Sequence, residues 1–211
     1  PQKFLDRLTA GGIDSFFGVP DSLLKSLNSN IAGSRAIRNH VVCANEGAAV
    51  GSAVGHFIGT GNLAAVYLQN SGLGNTINPL LSIADPSVYA VPMLMLIGWR
   101  GEPGEEDEPQ HVRQGELTPK LLDQLGIANR LILGHEHSDW REKVDFLIDH
   151  AKKKRTPVAL LVGKDTFAPS TTSHTSPEPT DQLQRESALN IVLGAIPTED
   201  FTVATTGMLG R

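Results

Sequence analysis

Glu46 is the residue whose place in the sequence most favours chemistry. It follows the apolar run Val41-Val42-Cys43-Ala44 and precedes a segment, residues 47–55, made only of Ala, Gly, Ser and Val. Such a composition is typical of a helix packed closely against its neighbours, so little water is expected around the Glu46 carboxylate. Because burial raises the pKa of a carboxyl group, an acid in this place is a candidate for proton transfer. The alternative is a first-turn acid that the helix dipole stabilises by roughly 0.5 kcal/mol.

A second set of polar side chains lies in the stretch Gln69-Asn70-Ser71-Gly72-Leu73-Gly74-Asn75. It offers side-chain amides, a hydroxyl group and the backbone N–H groups of a helix start, which together suit an anionic or carbonyl-bearing ligand. The alternative is a capped turn that uses glycine for its tight backbone geometry. Both interpretations stay open on these residues alone.

Two familiar motifs are nearly complete in that stretch, and both fail. Gly72 and Gly74 could begin a dinucleotide-binding fingerprint, but Ile77 stands where the third glycine is required. Ser71 follows a predicted strand, as a hydrolase nucleophile does, but Gln69 occupies the first glycine position of the nucleophile elbow. A serine hydrolase remains the competing enzyme class, and it would need Ser71 together with a histidine and an acid.

Three of the seven histidines lie near acidic residues that could share a site with them. His135 and His137 flank Glu136 without the i, i+4 spacing of a zinc protease, so a surface turn is predicted there. His111 lies in residues 98–115, a stretch rich in glycine, proline and acids that reads as one long loop. Long loops in compact domains are usually functional or disordered. We expect its part from Gly101 to Gly115 to be mobile without ligand and to close over a site, carrying His111 inward.

These residues must be positioned by alternating strands and helices. Strand, turn and helix recur roughly every 25 residues, which predicts an α/β fold with an open parallel sheet and helices on both faces. Ligands bind such sheets beyond the carboxyl ends of the strands, where the notable turns gather. The predicted strands are 13–19, 38–44, 63–68, 89–97, 131–133 and 157–162. The predicted helices are 2–10, one after the turn 20–22, one from Glu46, one from Asn75 to about Ile83, a short one capped by Thr118, and 138–153.

Three segments are predicted along the chain. Residues 1–166 hold the α/β domain, and residues 167–184, rich in Pro, Ser and Thr, have linker composition. Residues 185–211 begin a further unit with a helix over 185–196, a strand over 201–204 and a final turn. One helix and one strand cannot bury a core, so we expect the rest of that unit to be absent or supplied by another chain.

Composition narrows the function classes. The 211 residues carry a net charge of -5, which gives no basic surface for nucleic acid or anionic membranes. No apolar run approaches the ~20 residues of a membrane span. Cys43 is the single cysteine, so neither a disulfide framework nor a zinc set forms within the chain, and a reducing, cytoplasmic location is expected.

Four motifs together resemble the pyrimidine-binding domain of thiamine-diphosphate-dependent 2-oxo acid decarboxylases. The resemblance extends from Phe4 to about Val162, and residues 204–211 are similar to the opening of that family's diphosphate-binding domain. Two motifs, at residues 69–75 and 107–111, are most similar to the branch that acts on phosphonopyruvate, and the branch that acts on sulfopyruvate is its nearest relative. The motifs are Gly18-Val19-Pro20-Asp21-Ser22, Asn45-Glu46-Gly47-Ala48-Ala49, residues 69–75, and Gly98-Trp99-Arg100-Gly101 leading into Asp107-Glu108-Pro109-Gln110-His111.

The resemblance implies a role for each candidate residue. Glu46 would hydrogen-bond N1′ of the aminopyrimidine and promote activation of the cofactor for attack on the 2-oxo carbon of a small-molecule substrate. Asp21, Ser22 and His111 would face the substrate as polar or proton-relay groups. The cofactor or the anionic end of the substrate would contact Asn70, Ser71 and Asn75.

One departure from the family's pattern affects the cofactor. The Gly-Asp-Gly motif that binds the diphosphate and Mg²⁺ does not occur in this sequence. The chain is therefore expected to hold half of a site and to need a diphosphate-binding domain, in cis or in a second chain, within a homo- or hetero-oligomer. A noncatalytic α/β binding domain is the remaining alternative, and Glu46 argues against it because a binding module has no need for that acid.

Overall fold

Six parallel strands form one open sheet in the computed structural model, which describes residues 1–134, 139–168 and 185–197. The strands are β1 (Ser15–Gly18), β2 (Asn39–Val42), β3 (Ala65–Gln69), β4 (Met93–Gly98), β5 (Ala128–Ile132) and β6 (Pro157–Val162). Their order across the sheet is β2-β1-β3-β4-β6-β5, and every neighbouring pair is parallel. The predicted open parallel sheet is confirmed, and β2 and β5 are its edges.

Helices cover both faces of the sheet, as predicted. The described helices are α1 (Gln2–Ala10), α2 (Lys25–Gly33), α3 (Glu46–Thr60), α4 (Ile77–Pro79), α5 (Pro109–Gln124), α6 (Trp140–Lys154) and α7 (Arg185–Ala195). Apolar side chains of α1, α2 and α6 pack in one core. Those of α3 and α5 pack in a second core, so the sheet is enclosed between two helical layers.

The central strands supply both cores because their side chains alternate between the two faces. In β4, Leu94 and Leu96 enter the core beneath α1, α2 and α6, whereas Met93, Met95 and Ile97 enter the core beneath α3 and α5. Every residue of β4 is buried. A strand covered on both faces reads as a continuous apolar run, which is why β4 and β6 could be predicted from the sequence.

The main difference from the sequence-based expectation lies between β4 and β5. Residues 98–115 are predicted as one loop, but α5 begins at Pro109, so His111 lies in its first turn. Proline suits the first position of a helix, because its fixed φ fits the helix and the N–H group at that position would make no hydrogen bond within the helix. The predicted capping role of Thr118 is wrong, because Thr118 lies in the middle of α5 and donates to Gln114 O at 2.6 Å.

Two residues that normally interrupt helices obscured α5 in the sequence. A Cβ atom at Gly115 would lie 1.6 Å from Gly101 O, so this position requires glycine for a close backbone approach. Pro119 has no N–H group to donate to Gly115 O, the partner that the regular helix pattern would assign to it. The indole Nε1 of Trp99 donates to Gly115 O instead, at 3.0 Å. The tertiary contact thus satisfies the carbonyl that the proline leaves free.

The segment after β3 is less regular than the single helix predicted from Asn75 to Ile83. It consists of a 3₁₀ helix (Asn70–Thr76), the short α4, and a π-helical turn (Leu80–Ala84). Pro79 provides no N–H group for Asn75 O, which interrupts the α-helical hydrogen-bond pattern at this point.

The chain divides into two units, residues 1–172 and 173–211. In the second unit the predicted helix is confirmed as α7. The turn predicted at 135–137, most of the linker, the strand at 201–204 and the final turn lie outside the described residues, so the domain boundaries stay predictions. None of the helices in the described ranges is long and apolar enough to cross a membrane.

We expect Gly18→Ala to destabilise the sheet. A Cβ atom at Gly18 would lie 2.1 Å from Tyr67 O and 2.6 Å from the Tyr67 ring, and β3 cannot move away because β4 holds its other side. Overpacking of this kind costs about 1–3 kcal/mol in the free energy of unfolding, which urea denaturation measures. The control is Gly51→Ala in α3, where the added methyl meets open space and removes a helical glycine, for a gain of roughly 0.5 kcal/mol. Equal stability of the two variants would contradict this packing.

Candidate active site

The turns that carry the predicted site residues follow neighbouring strands. Asp21 comes shortly after β1, Gln69 ends β3 and Gly98 ends β4, and these three strands are adjacent in the sheet. Parallel strands end at one edge, so the three turns meet there, at the position where α/β folds bind ligands.

Glu46 is held by the turn after β3. Asn45 caps α3 by accepting a hydrogen bond from Ala48 N at 2.9 Å, which makes Glu46 the first residue of the helix. Asn75 Nδ2 donates to Glu46 Oε2 at 2.7 Å. A Cβ atom at Gly72 would lie 2.2 Å from Glu46 Oε1, so a side chain at position 72 would displace the carboxylate from its observed place. Oε1 accepts no hydrogen bond within the described part of the chain and is available to a ligand.

The burial expected for Glu46 is wrong, because the residue is only half-buried. The preceding strand, β2, is an edge strand, and Val41 and Val42 are 46% and 60% exposed. The apolar sequence of β2 resembles that of a central strand, and its place at the edge depends on pairing that the local sequence does not encode. The case for Glu46 as a proton-transfer group therefore rests on its contacts with Asn75 and Gly72.

Asp21 is the acid that the fold shields from water. It is 6% exposed, its Oδ1 accepts from Gln69 Nε2 at 2.9 Å, and its Oδ2 accepts from Leu23 N at 3.0 Å. A Cβ atom at Gly98 would lie 2.1 Å from Oδ2. Burial raises the pKa of Asp21, and the hydrogen bonds from Gln69 and Leu23 act in the opposite direction. Asp21 thus has the environment that the sequence interpretation assigned to Glu46.

Arg100 and Asp107 form a bidentate ion pair that closes the connection between β4 and α5. Arg100 Nε donates to Asp107 Oδ2 at 2.8 Å, and Nη2 donates to Oδ1. The N–H groups of Gly101 and Glu108 donate to the same carboxylate, each at 2.8 Å. These contacts, that of Arg100 above all, hold the pKa of Asp107 well below its usual range. Arg100 Nη1 also donates to Ser22 Oγ at 3.2 Å, which ties Ser22 to the ion pair.

Asn70 joins three elements in the protein interior. Its Nδ2 donates to Arg100 O at 2.8 Å and to Thr118 Oγ1 at 3.0 Å, while its Oδ1 accepts from Arg100 N at 3.1 Å. Both amide hydrogens are therefore used inside the protein. What the structure shows for Asn70 is a brace between β3, the connection after β4, and α5, and its predicted contact with the cofactor stays a prediction.

His111 is half-buried in the first turn of α5. Its Nδ1 atom is shielded from water and has no hydrogen-bond partner among the described residues. A Cβ atom at Gly101, where φ is +70°, would lie 2.0 Å from His111 O. The backbone of His111 is thus tightly packed, and the predicted movement of the segment from Gly101 to Gly115 stays a prediction.

An open cleft of about 320 Å³ lies beside the ion pair. Carboxylates outnumber cations among its lining residues, and Glu46, Ser71 and Asn75 do not belong to them. The predicted residues therefore form two groups, one around Glu46 and one around Asp21 and Arg100, and the turn at residues 69–75 contacts both. The cleft is lined by Ser22, Leu23, Trp99, Arg100, Glu102, Glu105, Glu106, Asp107, Lys164 and Asp165.

Sequence reasoning missed the contacts of Gln69, Arg100 and Asp107. All three stand inside the quoted motifs, but in the sequence Gln69 only marks where a nucleophile elbow lacks its first glycine. A polar residue at the end of a buried strand is itself a signal, because it faces the ligand edge of a parallel sheet. The pairing of Arg100 with Asp107 had no comparable signal, since the acids between residues 102 and 108 look alike in the sequence.

Comparison with known proteins identifies the family. The family model described as "Thiamine pyrophosphate enzyme, N-terminal TPP binding domain" matches residues 2–127, and thiamine pyrophosphate is another name for thiamine diphosphate. The chain belongs to this family. The match covers the sheet from β1 to β4 and every candidate site residue named above, so the thiamine pyrophosphate enzymes share with this chain the part that forms the site.

Relatives of the chain bear two different names. It is 31% identical to a phosphonopyruvate decarboxylase of Streptomyces hygroscopicus over 98% of this chain and 54% of that protein. It is 33% identical to the sulfopyruvate decarboxylase subunit alpha of Methanothermobacter thermautotrophicus over 72% of this chain and 87% of that subunit. The chain spans about half the length of the phosphonopyruvate decarboxylases that it matches.

Solved structures agree with the assignment of the fold. A thiamine diphosphate-dependent 4-hydroxybenzoylformate decarboxylase of Rhodococcus jostii RHA1 matches 78% of this chain and 30% of its own chain, with a TM-score of 0.61 and 24% identity. A benzoylformate decarboxylase of Polynucleobacter necessarius matches 79% of this chain and 30% of its own chain, with a TM-score of 0.58 and 16% identity. At these identities the likeness establishes the fold alone.

The site fits one end of the cofactor better than the other. Glu46 Oε1 is an open acceptor beside the glycine at position 72, which suits a nitrogen-bearing ring. In residues 1–134, 139–168 and 185–197 no three His, Cys, Asp or Glu side chains are grouped as metal ligands. The described residues thus fit the aminopyrimidine and provide no cluster for a metal-bridged diphosphate.

Asp107→Asn should weaken the connection between β4 and α5. The asparagine side chain is neutral, so the ion pair with Arg100 is lost. Its NH₂ group also cannot accept the hydrogen bonds that one of the two Asp107 oxygens accepts. We expect a loss of about 2 kcal/mol in the free energy of unfolding at pH 7. Because folding lowers the pKa of Asp107, this stabilisation is complete above the unfolded pKa of about 4 and disappears as the pH falls through the folded value.

Urea denaturation at several pH values measures the difference between this variant and the wild type. Glu106→Gln, in the same connection, removes an exposed acid and is the control. A loss of stability for Asp107→Asn that stays constant from pH 7 to pH 2 would contradict the assignment.

Proposed function

We propose that the chain supplies the pyrimidine-binding half of a thiamine-diphosphate-dependent 2-oxo acid decarboxylase. The observation that carries the proposal is the Glu46 carboxylate, which Asn75 and Gly72 hold at the start of α3 with Oε1 open. The family match includes all of these residues. When bound, thiamine diphosphate supplies the electron sink that decarboxylation of a 2-oxo acid requires.

Glu46 acts as the proton-handling group of the site. Its Oε1 would hold a proton toward N1′ of the aminopyrimidine, and the bond from Asn75 to Oε2 keeps the carboxylate in one orientation. Gly72 allows the carboxylate to lie against the turn after β3 without a side chain between them. Fixing the acid in advance lowers the reorganisation that proton exchange would otherwise need.

Asp21, Ser22 and His111 form the proposed substrate side. The buried Asp21 carboxylate and the Ser22 hydroxyl, which accepts from Arg100, lie at the carboxyl ends of the central strands. His111 lies in the first turn of α5, which follows the Arg100–Asp107 ion pair in the chain. Asn70, Ser71 and Asn75 complete the turn that separates this side from Glu46. The polar groups bind and orient the substrate.

Phosphonopyruvate is the proposed substrate, with decarboxylation to phosphonoacetaldehyde and CO₂. The match to phosphonopyruvate decarboxylases over nearly the whole chain supports it. Sulfopyruvate is the second candidate, because three sulfopyruvate decarboxylase alpha subunits are 33–34% identical to this chain and two of them are covered over most of their length.

The proposal includes a partner for the diphosphate end of the cofactor. A diphosphate-binding domain, in cis or in a second chain, would supply the ligands of Mg²⁺ and the diphosphate, within a homo- or hetero-oligomer. The support is the word "subunit" in the names of the sulfopyruvate relatives.

Glu46→Gln should lower kcat of the complete enzyme at least about 100-fold without unfolding it, because the amide has nearly the same shape but cannot exchange the proton. Steady-state assays with phosphonopyruvate and with sulfopyruvate, at saturating cofactor, measure the effect and identify the substrate. Glu142→Gln is the matched control. Glu142 is the first-turn acid of α6, and its replacement removes only a favourable interaction with the helix dipole. Near-normal kcat for Glu46→Gln would refute the assigned role.

The 211-residue chain alone should bind thiamine diphosphate with Mg²⁺ weakly and show no decarboxylation. Glu46 and its neighbours would hold only the pyrimidine end, whereas a metal-bridged diphosphate normally depends on dedicated oxygen ligands. Calorimetric titration measures the affinity, with the chain plus its diphosphate-binding partner as the positive control. Micromolar or tighter binding by the chain alone would show that the diphosphate site lies within it.

A further inference from the structure

Three side chains form a hydrogen-bonded row from the protein interior to its surface. Gln69 Nε2 donates to Asp21 Oδ1 at 2.9 Å, and Ser71 Oγ donates to Gln69 Oε1 at 2.5 Å. Asp21 is buried, Gln69 is half-buried and Ser71 is exposed. The row therefore links a shielded carboxylate to a hydroxyl group that a ligand can reach.

The direction of each hydrogen bond follows from the chemistry of the amide. An ionised carboxylate only accepts, so Gln69 must present its NH₂ group to Asp21. The Gln69 carbonyl then faces Ser71 and can only accept, so the Ser71 hydroxyl proton is used inside the row. Under these conditions Ser71 offers a ligand only the lone pairs of its oxygen.

The surroundings of Asp21 make its charge costly. Gly98 and the backbone of Leu23 enclose the carboxylate, and Arg100 is the charged side chain that faces it. Arg100 is itself paired with Asp107, which reduces the stabilisation that it gives to Asp21. Burial raises the pKa of Asp21 above its ordinary value, so protonation of this acid lies closer to neutral pH than that of an exposed aspartate.

We propose that Gln69 is a positioning residue that transmits the charge of Asp21 to Ser71 and thereby decides whether Ser71 accepts or donates a hydrogen bond toward the ligand. The identity of that ligand, an anionic 2-oxo acid, is taken from the proposed function. The row itself is a property of the chain and does not depend on catalysis.

Protonation of Asp21 reverses the row. A proton taken from solvent by Oδ1 turns this oxygen into a donor, and the Gln69 amide turns over so that its carbonyl accepts from Asp21. The Gln69 NH₂ group then donates to Ser71 Oγ. The Ser71 proton is released from the row and points to the ligand. No covalent bond changes, apart from the protonation of the carboxylate.

The two states favour different ligand atoms. With Asp21 ionised, Ser71 suits a donor such as an amino group. With Asp21 protonated, Ser71 suits an oxygen of an anionic 2-oxo acid, which gains one hydrogen bond and no longer meets the negative charge of Asp21. We therefore expect the KM for an anionic substrate to rise as the pH increases through the titration of Asp21.

Nuclear magnetic resonance of the 211-residue chain tests the row without any activity. As Asp21 titrates, followed by its carboxyl carbon, the side-chain NH₂ signals of Gln69 should move with the same midpoint. In Gln69→Leu the Asp21 midpoint should shift upward, because the hydrogen bond that favours the ionised form is lost. Gln69 signals that stay constant while Asp21 titrates would overturn the proposal.

Kinetics of the complete enzyme test the effect on Ser71. Removal of one hydrogen bond should raise KM about threefold to tenfold in Ser71→Ala below the Asp21 midpoint, and little above it. Gln69→Leu removes the connection between Asp21 and Ser71, so in this background the effect of Ser71→Ala on KM should be the same at every pH. Direct repulsion between Asp21 and an anionic substrate does not pass through Gln69 and would persist in both backgrounds. An identical pH dependence of the Ser71→Ala effect in both backgrounds would overturn the proposal.

The two measurements separate this proposal from the proposed function. If the complete protein decarboxylates neither substrate while the Gln69 NH₂ signals follow the titration of Asp21, the proposed function fails and the row is supported. If the protein decarboxylates a substrate while the Gln69 signals do not respond, the row fails and the proposed function is untouched.

Discussion

The absence of a side chain at position 72 is the constraint on which the site depends. Gly72 allows the turn after β3 to press its backbone against the Glu46 carboxylate, and any Cβ atom there would occupy the space of Oε1. The same turn holds Asn75 against Oε2 and Ser71 against Gln69. One seven-residue 3₁₀ helix therefore lies beside the half-buried Glu46 and, through the bond from Ser71 to Gln69, is connected to the buried Asp21.

The fold was largely accessible from the sequence because the central strands are covered on both faces. Continuous apolar runs identified β4 and β6, and α1 was found at its observed bounds. The edge strand β2 misled the interpretation of Glu46, since an apolar run does not reveal whether a second layer covers it. The first half of helix α5 was missed because Gly115 serves tertiary contacts with Gly101 and Trp99, and local propensity carries no information on such contacts.

The candidate site was predictable as a set of turns, and less so as a set of roles. Parallel topology brings the ends of β1, β3 and β4 together, so Asp21 and the stretch at residues 69–75 could be placed at one edge. Which acid is buried depends on distant groups, namely Gly98 and Gln69 for Asp21, and the open edge of the sheet for Glu46. These groups are far apart in the sequence and come together only when the strands pair in the correct register.

The contact between Trp99 and Gly115 gives the protein an internal optical probe. Trp99 is 8% exposed and its indole nitrogen is bonded to α5, so its fluorescence depends on the distance between β4 and that helix. The second tryptophan, Trp140, packs in the aromatic group with Phe4 on the opposite face of the sheet. A chain with Trp140 replaced by phenylalanine would emit from Trp99 alone, and stopped-flow spectroscopy could then time any displacement of α5 without an attached dye.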